Sequence, residues 1–166
     1  MIRPVFLAAM AAVLGSAGVA AAAPALPAGL EGRWVLDVAH SDYGEFPGPN
    51  AATLDIRRDG AVLHLRLSAT TRRSTRSYDL ALPTDGREVR YPLQADIRVG
   101  SAILRSASVV FKGSALAVVQ RVQHMDEMVL LQTTFSRSAG VLREQMVQDG
   151  AVMSTLVFRR AGGTDR

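Results

Sequence analysis

The sequence predicts an all-β fold, an up-and-down antiparallel meander of eight to ten strands closed into a barrel. Three observations predict it. Beyond Gly32, apolar and polar residues alternate, and few segments sustain a helical period. Turn signals return about every thirteen residues, at Asp59-Gly60, Asp85-Gly86, Lys112-Gly113 and Asp149-Gly150, with softer ones near Thr71-Arg72, Val99-Gly100, Met125-Asp126 and Ser138-Ala139-Gly140. That even spacing lets each strand pair with the next, whereas a Greek key needs a long crossover. A meander of this length hides its edges by closing on itself.

Taken in order, residues 1–23 read as an export leader. Arg3 precedes an apolar run from Val5, and Ala20-Ala21-Ala22-Ala23 offers small residues for cleavage. A spanning anchor is the alternative, but the run is mostly alanine and glycine and ends at Pro24 and Pro27. The barrel is expected over 30–161 and a disordered tail over 162–166. Its first strand holds the single tryptophan, in Gly32-Arg33-Trp34-Val35-Leu36, with Trp34 and Leu36 on one face. His40 to Asn50, rich in glycine and proline, is a loop with room for one helical turn opened by Ser41 or Asp42.

The hairpin turns then set the register. Asp59-Gly60 would place Ile56 opposite Leu63 and Leu54 opposite Leu65; Asp85-Gly86 would place Leu82 opposite Val89, Leu80 opposite Tyr91 and Tyr78 opposite Leu93. Lys112-Gly113 would pair Val109 with Leu116 and Ala107 with Val118, and Asp149-Gly150 would pair Met146 with Met153 and Leu142 with Val157. Apolar meets apolar each time, while Asp55, Arg57, His64, Arg66, Asp79, Glu88 and Arg90 fall on the opposite face.

The same reasoning aligns a polar row, Arg105, Gln120, Gln132, Glu144 and Thr155, on the apolar face of the C-terminal strands, near Tyr91 and Met146. Buried arginine and glutamate are costly unless paired or solvated. Three situations account for the row: a cavity whose ligand has an apolar tail and a polar end held by these residues, a closed internal network, or an inverted face assignment in this half.

Composition narrows the chemistry. The chain of 166 residues has no cysteine, which removes disulfides, thiolate metal sites, thiol nucleophiles and a lipidated N-terminus. Without that anchor, an exported product is expected to be soluble, in the periplasm or outside the cell. The net charge of +4 and the scarcity of aromatics give little basis for nucleic-acid binding. His40, His64 and His124 show no metal-ligand spacing, and His40-Ser41-Asp42 is adjacent in sequence without the roles of a triad, so neither metal, cofactor nor catalytic residue is assigned. Arg57, Arg58, Arg66, Arg72, Arg73 and Arg76 form either a solvated rim or a patch for an anionic lipid surface, with Arg57, Arg72, Arg73 and Arg76 as its contacts.

The Gly32-x-Trp34 first strand followed by a loop and a meander resembles the lipocalin and calycin superfamily, and Gly32-x-Trp34-x-Leu36-Asp37 with Ser41-Asp42-Tyr43-Gly44 is similar to small secreted bacterial lipocalin-like proteins of unassigned function. The resemblance implies a barrel whose tryptophan closes the floor beneath an arginine of the last strand, with Gly32, Trp34 and Arg159 (or Arg160) as that cap. The expected function is non-enzymatic binding of a small apolar or amphipathic, lipid-like ligand. The alternatives are a protein-interaction module such as a periplasmic protease inhibitor, or an envelope protein without a ligand.

Overall fold

The structure, a computed structural model, describes residues 25–45, 47–92 and 94–162. The leader expected over 1–23 and residues 163–166 of the tail lie outside them. Among the described residues eleven strands form one antiparallel sheet: β1 (Gly32–Leu36), β2 (Ala51–Asp59), β3 (Val62–Thr70), β4 (Thr75–Pro83), β5 (Val89–Arg90), β6 (Arg98–Val99), β7 (Ala102–Lys112), β8 (Ala115–His124), β9 (Glu127–Ser138), β10 (Val141–Gln148) and β11 (Ala151–Arg160). The hydrogen-bonded order is β4-β3-β2-β1-β11-β10-β9-β8-β7-β5, with the two-residue β6 also on β7. The first strand pairs with the last, so the sheet rolls into the expected up-and-down barrel.

Closure is incomplete along one seam. The predicted β4–β5 hairpin at Asp85-Gly86 does not form; Val89 and Arg90 pair instead with Ala107 and Ser106 of β7. β4 therefore runs beside β7 without a ladder, and Arg76 Nη1, donating to the Gly100 carbonyl at 3.0 Å, reaches across. Glu88, just before β5, is tied to the outer face of β7 and β8, accepting from Ser106 Oγ at 2.6 Å and from Arg121 Nε at 3.3 Å.

Alternation places Leu54, Ile56, Leu63, Leu65, Leu80 and Leu82 inside, as expected for the N-terminal half, although Ile56 faces Leu65 and Leu54 faces Leu67. The loop there is Gly60-Ala61, one residue later than predicted, which slides the pairing by two and preserves the face. The Lys112-Gly113 hairpin slides by two in the same way, with Val109 opposite Val118 and Phe111 opposite Leu116. The predicted helical turn exists but precedes Ser41: a 3-10 turn spans Val38–His40. Ser41 Oγ donates to the Asp37 carbonyl at 2.8 Å and accepts the Val157 N–H at 2.9 Å, so its hydroxyl fastens the end of the turn to β11.

Trp34 is wholly buried, its indole N–H donating to the Leu30 carbonyl at 2.9 Å. The arginine above it is Arg160, with the guanidinium carbon 5.2 Å from the ring centroid and one Nη donating to the Glu31 carbonyl. Arg159, expected for that part, points outward to Asp37 at 2.7 Å because successive strand residues take opposite faces. Gly32 has φ +137°, and a Cβ there would lie 2.7 Å from the Arg160 guanidinium. A glycine two residues before the tryptophan thus leaves room for the cation on its ring.

Candidate functional site

The interior of the C-terminal half contains polar residues, but a different set from the predicted row. Strand parity is the reason, since a shift by one residue moves a side chain to the other face. β8 and β9 join through Met125-Asp126, which sets Gln120 opposite Leu131 and Gln132 opposite Val119; Gln132 therefore faces outward, where its amide donates to Thr134 Oγ1 at 3.3 Å. β9 and β10 join through Ala139-Gly140, not through Ser138, so Glu144 lies opposite Phe135 and returns to the inside.

Bulges complete the rearrangement. In β7 the register shifts between Leu104 and Ser106, which keeps Leu104 and Ala107 inside and turns Arg105 out. Its guanidinium holds Gln123 Oε1 at 2.9 and 2.7 Å on the outer face. In β10 a shift between Met146 and Val147 sets Met146 opposite Ser154 and Glu144 opposite Leu156. Thr155 then lies on the outer face, bridged through its backbone to Asp42. The predicted pairings of Met146 with Met153 and of Leu142 with Val157 give way to Ser154 and Phe158.

Of the predicted row, then, Gln120 and Glu144 face the interior, and Arg105, Gln132 and Thr155 do not. The third situation foreseen for that row, an inverted face, holds for those three alone. Met146 and Tyr91 are partly buried against the core. The phenol oxygen of Tyr91 is buried without a hydrogen-bond partner. Two interior residues were not assigned to the site from the sequence, Thr133 and Tyr78, although Tyr78 was placed on the apolar face. Thr133 is buried and its hydroxyl lies 3.4 Å from Gln120 Oε1. The signal for it was available: placing glycine second in the loop, as in Asp149-Gly150, would have centred the β9–β10 turn on Ala139-Gly140 and turned Thr133 inward.

Gln120, Thr133 and Tyr78 meet where two walls of the barrel face each other. Leu54, Leu65, Tyr78 and Leu80 of β2 to β4 approach Val118, Gln120, Thr133 and Phe135 of β8 and β9 across a void of about 10 Å³. That is room for one water at most. Glu144 is only 6% exposed. Burial raises its carboxyl from 4.5 to about 7, with no charge or hydrogen bond pulling it back. Tyr78 is raised too, by burial first and then by the negative charge of Glu144, which places the two groups near one another across the interior. Burial also raises the Tyr91 phenol.

The outside is organised differently. Arg33, Asp55, Arg66 and Asp79 form one cross-strand row of alternating charge over β1 to β4, with Arg66 and Asp79 at 3.2 Å and Arg33 and Asp55 at 4.0 Å. The open groove above this row encloses about 490 Å³ and is also lined by Glu31, Arg57 and His64. The six arginines, expected as a solvated rim or as one patch, are dispersed. Arg57 pairs with His64 beside this groove, whereas Arg72 and Arg73 sit beyond Thr70 at the far end of β3, ~20 Å away at the usual rise per strand residue. Among the described residues no group of three or more His, Asp or Glu side chains is placed to hold a metal.

Neither family models nor curated proteins match this chain. Solved structures do. A secretary abundant heat soluble protein from Ramazzottius varieornatus has a TM-score of 0.58 at 9% identity, covering 80% of this chain and 95% of its own. A protein titled REP1-NXSQ fatty acid transporter has a TM-score of 0.54 at 14% identity, covering 81% of this chain and 98% of its own. Lipid binding protein 8 of Caenorhabditis elegans has a TM-score of 0.52 at 18% identity, covering 79% of this chain and 94% of its own. This chain has the fold of these small β-barrels. The expectation of an up-and-down β-barrel opening on Gly32-x-Trp34 holds at the level of fold.

Proposed function

We propose that this protein is a non-enzymatic carrier that takes a small amphipathic, lipid-like molecule into the barrel, its tail among the leucines and its polar end at Glu144, Gln120, Thr133 and Tyr78. The observation that carries the reading is the cost of those groups. A carboxyl raised to about 7 by burial is unfavourable in a closed interior. A polar ligand group would relieve that cost. The seam between β4 and β7 is the place for entry, because parting it breaks no backbone ladder. With a void of about 10 Å³, entry requires the two walls to separate. Similarity of fold to proteins titled as a fatty acid transporter and a lipid binding protein supports the same reading.

The small void itself favours a second reading, a filled barrel whose polar residues only fix register. Native mass spectrometry of the protein incubated with a mixed lipid extract separates the two. The carrier reading expects a bound species of defined added mass, lost in a Gln120→Leu, Thr133→Leu double variant that fills the interior. Wild-type protein that stays at its bare mass across the extract leaves only the filled barrel. We propose further that residues 1–23 direct export and that the soluble product works in the periplasm or outside the cell; N-terminal sequencing of the secreted fraction, starting near Pro24, is the expected result.

A further inference from the structure

We infer that the barrel interior selects amphiphiles whose polar end is a cation, such as an ammonium on an apolar tail, over those ending in a carboxylate. The inference rests on the carrier reading above and names the ligand class for it.

Among the described residues Glu144 is the only buried side chain that carries a formal charge. No described lysine or arginine is buried. Arg105, expected in the polar row, is held outside by Gln123. Arg160 is engaged with the Trp34 ring and the Glu31 carbonyl. A carboxylate brought to the polar cluster would therefore meet a like charge and no counter-ion in a medium that screens poorly. An ammonium would meet the opposite situation. It neutralises Glu144, and its remaining N–H groups find acceptors in Gln120 Oε1, Thr133 Oγ1 and the Tyr78 phenol oxygen. The Tyr78 ring adds a face that attracts cations.

The groups around Glu144 impose few competing demands. Its in-register neighbours are Phe135 on β9 and Leu156 on β11, neither of which titrates. Tyr78 of β4 is the titratable group that faces it from the opposite wall. The selection for a cation is therefore strongest where Glu144 is ionised, at pH 8, and fades towards pH 5 as the carboxyl takes up its proton.

The test compares three probes of equal chain length, dodecylamine, dodecanol and dodecanoate, titrated into the purified full chain by calorimetry at pH 8 and pH 5. At pH 8 dodecylamine is expected to bind at least tenfold more tightly than dodecanoate, with dodecanol between them, and the amine preference is expected to shrink at pH 5. Glu144→Gln, checked for fold by the near-ultraviolet signal of buried Trp34, is expected to lose at least tenfold in amine affinity while dodecanol stays within twofold. Dodecanoate binding as tightly as dodecylamine to wild type at pH 8 would overturn the inference and leave the carrier reading standing. So would undiminished amine binding by Glu144→Gln. If none of the three probes binds, the carrier reading falls and the inference with it.

Discussion

Replacing Glu144 by glutamine should change the pH dependence of stability, and in a direction opposite to the usual effect of removing a native carboxylate. Glu144 has its folded-state pKa raised from 4.5 to about 7. The folded protein therefore holds a proton that the unfolded chain has released between those two values. Its contribution is fully present below about pH 4.5 and is lost as pH rises through about 7. At about 1.4 kcal/mol per pH unit, the displacement makes folding roughly 3 kcal/mol weaker at pH 8 than at pH 4.5 through this one group. In a domain of this size that is a fall in Tm of about 10 °C. Glutamine occupies the same space and has no proton to lose. The variant should match wild type within about 1 kcal/mol at pH 5 and exceed it by about 2 to 3 kcal/mol at pH 8. Urea unfolding of both proteins at the two pH values measures this, and every other titrating group cancels in the difference. A gap between variant and wild type that is the same at pH 5 and pH 8 would refute the placement of Glu144 in a dry interior.

Other outcomes follow from the floor, the rim and the seam. Gly32→Ala should cost about 1–3 kcal/mol in chemical denaturation, from a strained φ and a displaced Arg160. Trp34→Phe should cost about 2–4 kcal/mol, since it leaves a void and an unpaired Leu30 carbonyl. Asp37 is held down to about 2 by hydrogen bonds from His40 first and Arg159 second. Its stabilisation is present above about 3.8 and lost as pH falls towards 2, so Asp37→Asn should lie below wild type in an acid titration at pH 5 and converge with it near pH 2. In hydrogen exchange, β4 and β5 should open at least tenfold faster than β8 and β9, because the seam gives them one fully bonded neighbour instead of two; equal protection would mean the seam is closed in solution.

Much of the fold was legible in the residues. Alternation and evenly spaced turns sufficed for the meander, and Gly32-x-Trp34 marked the first strand. Within the N-terminal half the inward residues were also readable, because an error of two in the register at Gly60 returns the same face. The pairing of β4 with β5 was not, since a perfectly good Asp85-Gly86 turn signal is overridden by the tie of Glu88 to Ser106 and Arg121 and by the pairing of β5 with β7.

The candidate site was half legible for the same physical reason. By itself the sequence determined that polar side chains would interrupt the apolar face of the C-terminal strands, because alternation is local and survives any pairing. Which of them turn inward depends on the parity of each hairpin, and one residue decides parity. The turns at Met125-Asp126 and Ala139-Gly140 and the bulges beside Arg105 and Met146 took Arg105, Gln132 and Thr155 outside, kept Gln120 and Glu144 inside, and added Thr133 and, from across the barrel, Tyr78. A bulge gives no composition signal of its own. It is set by the whole sheet minimising exposed apolar area and unpaired backbone groups, so only the tertiary structure could show that the buried charge in this barrel is a carboxylate without an arginine beside it.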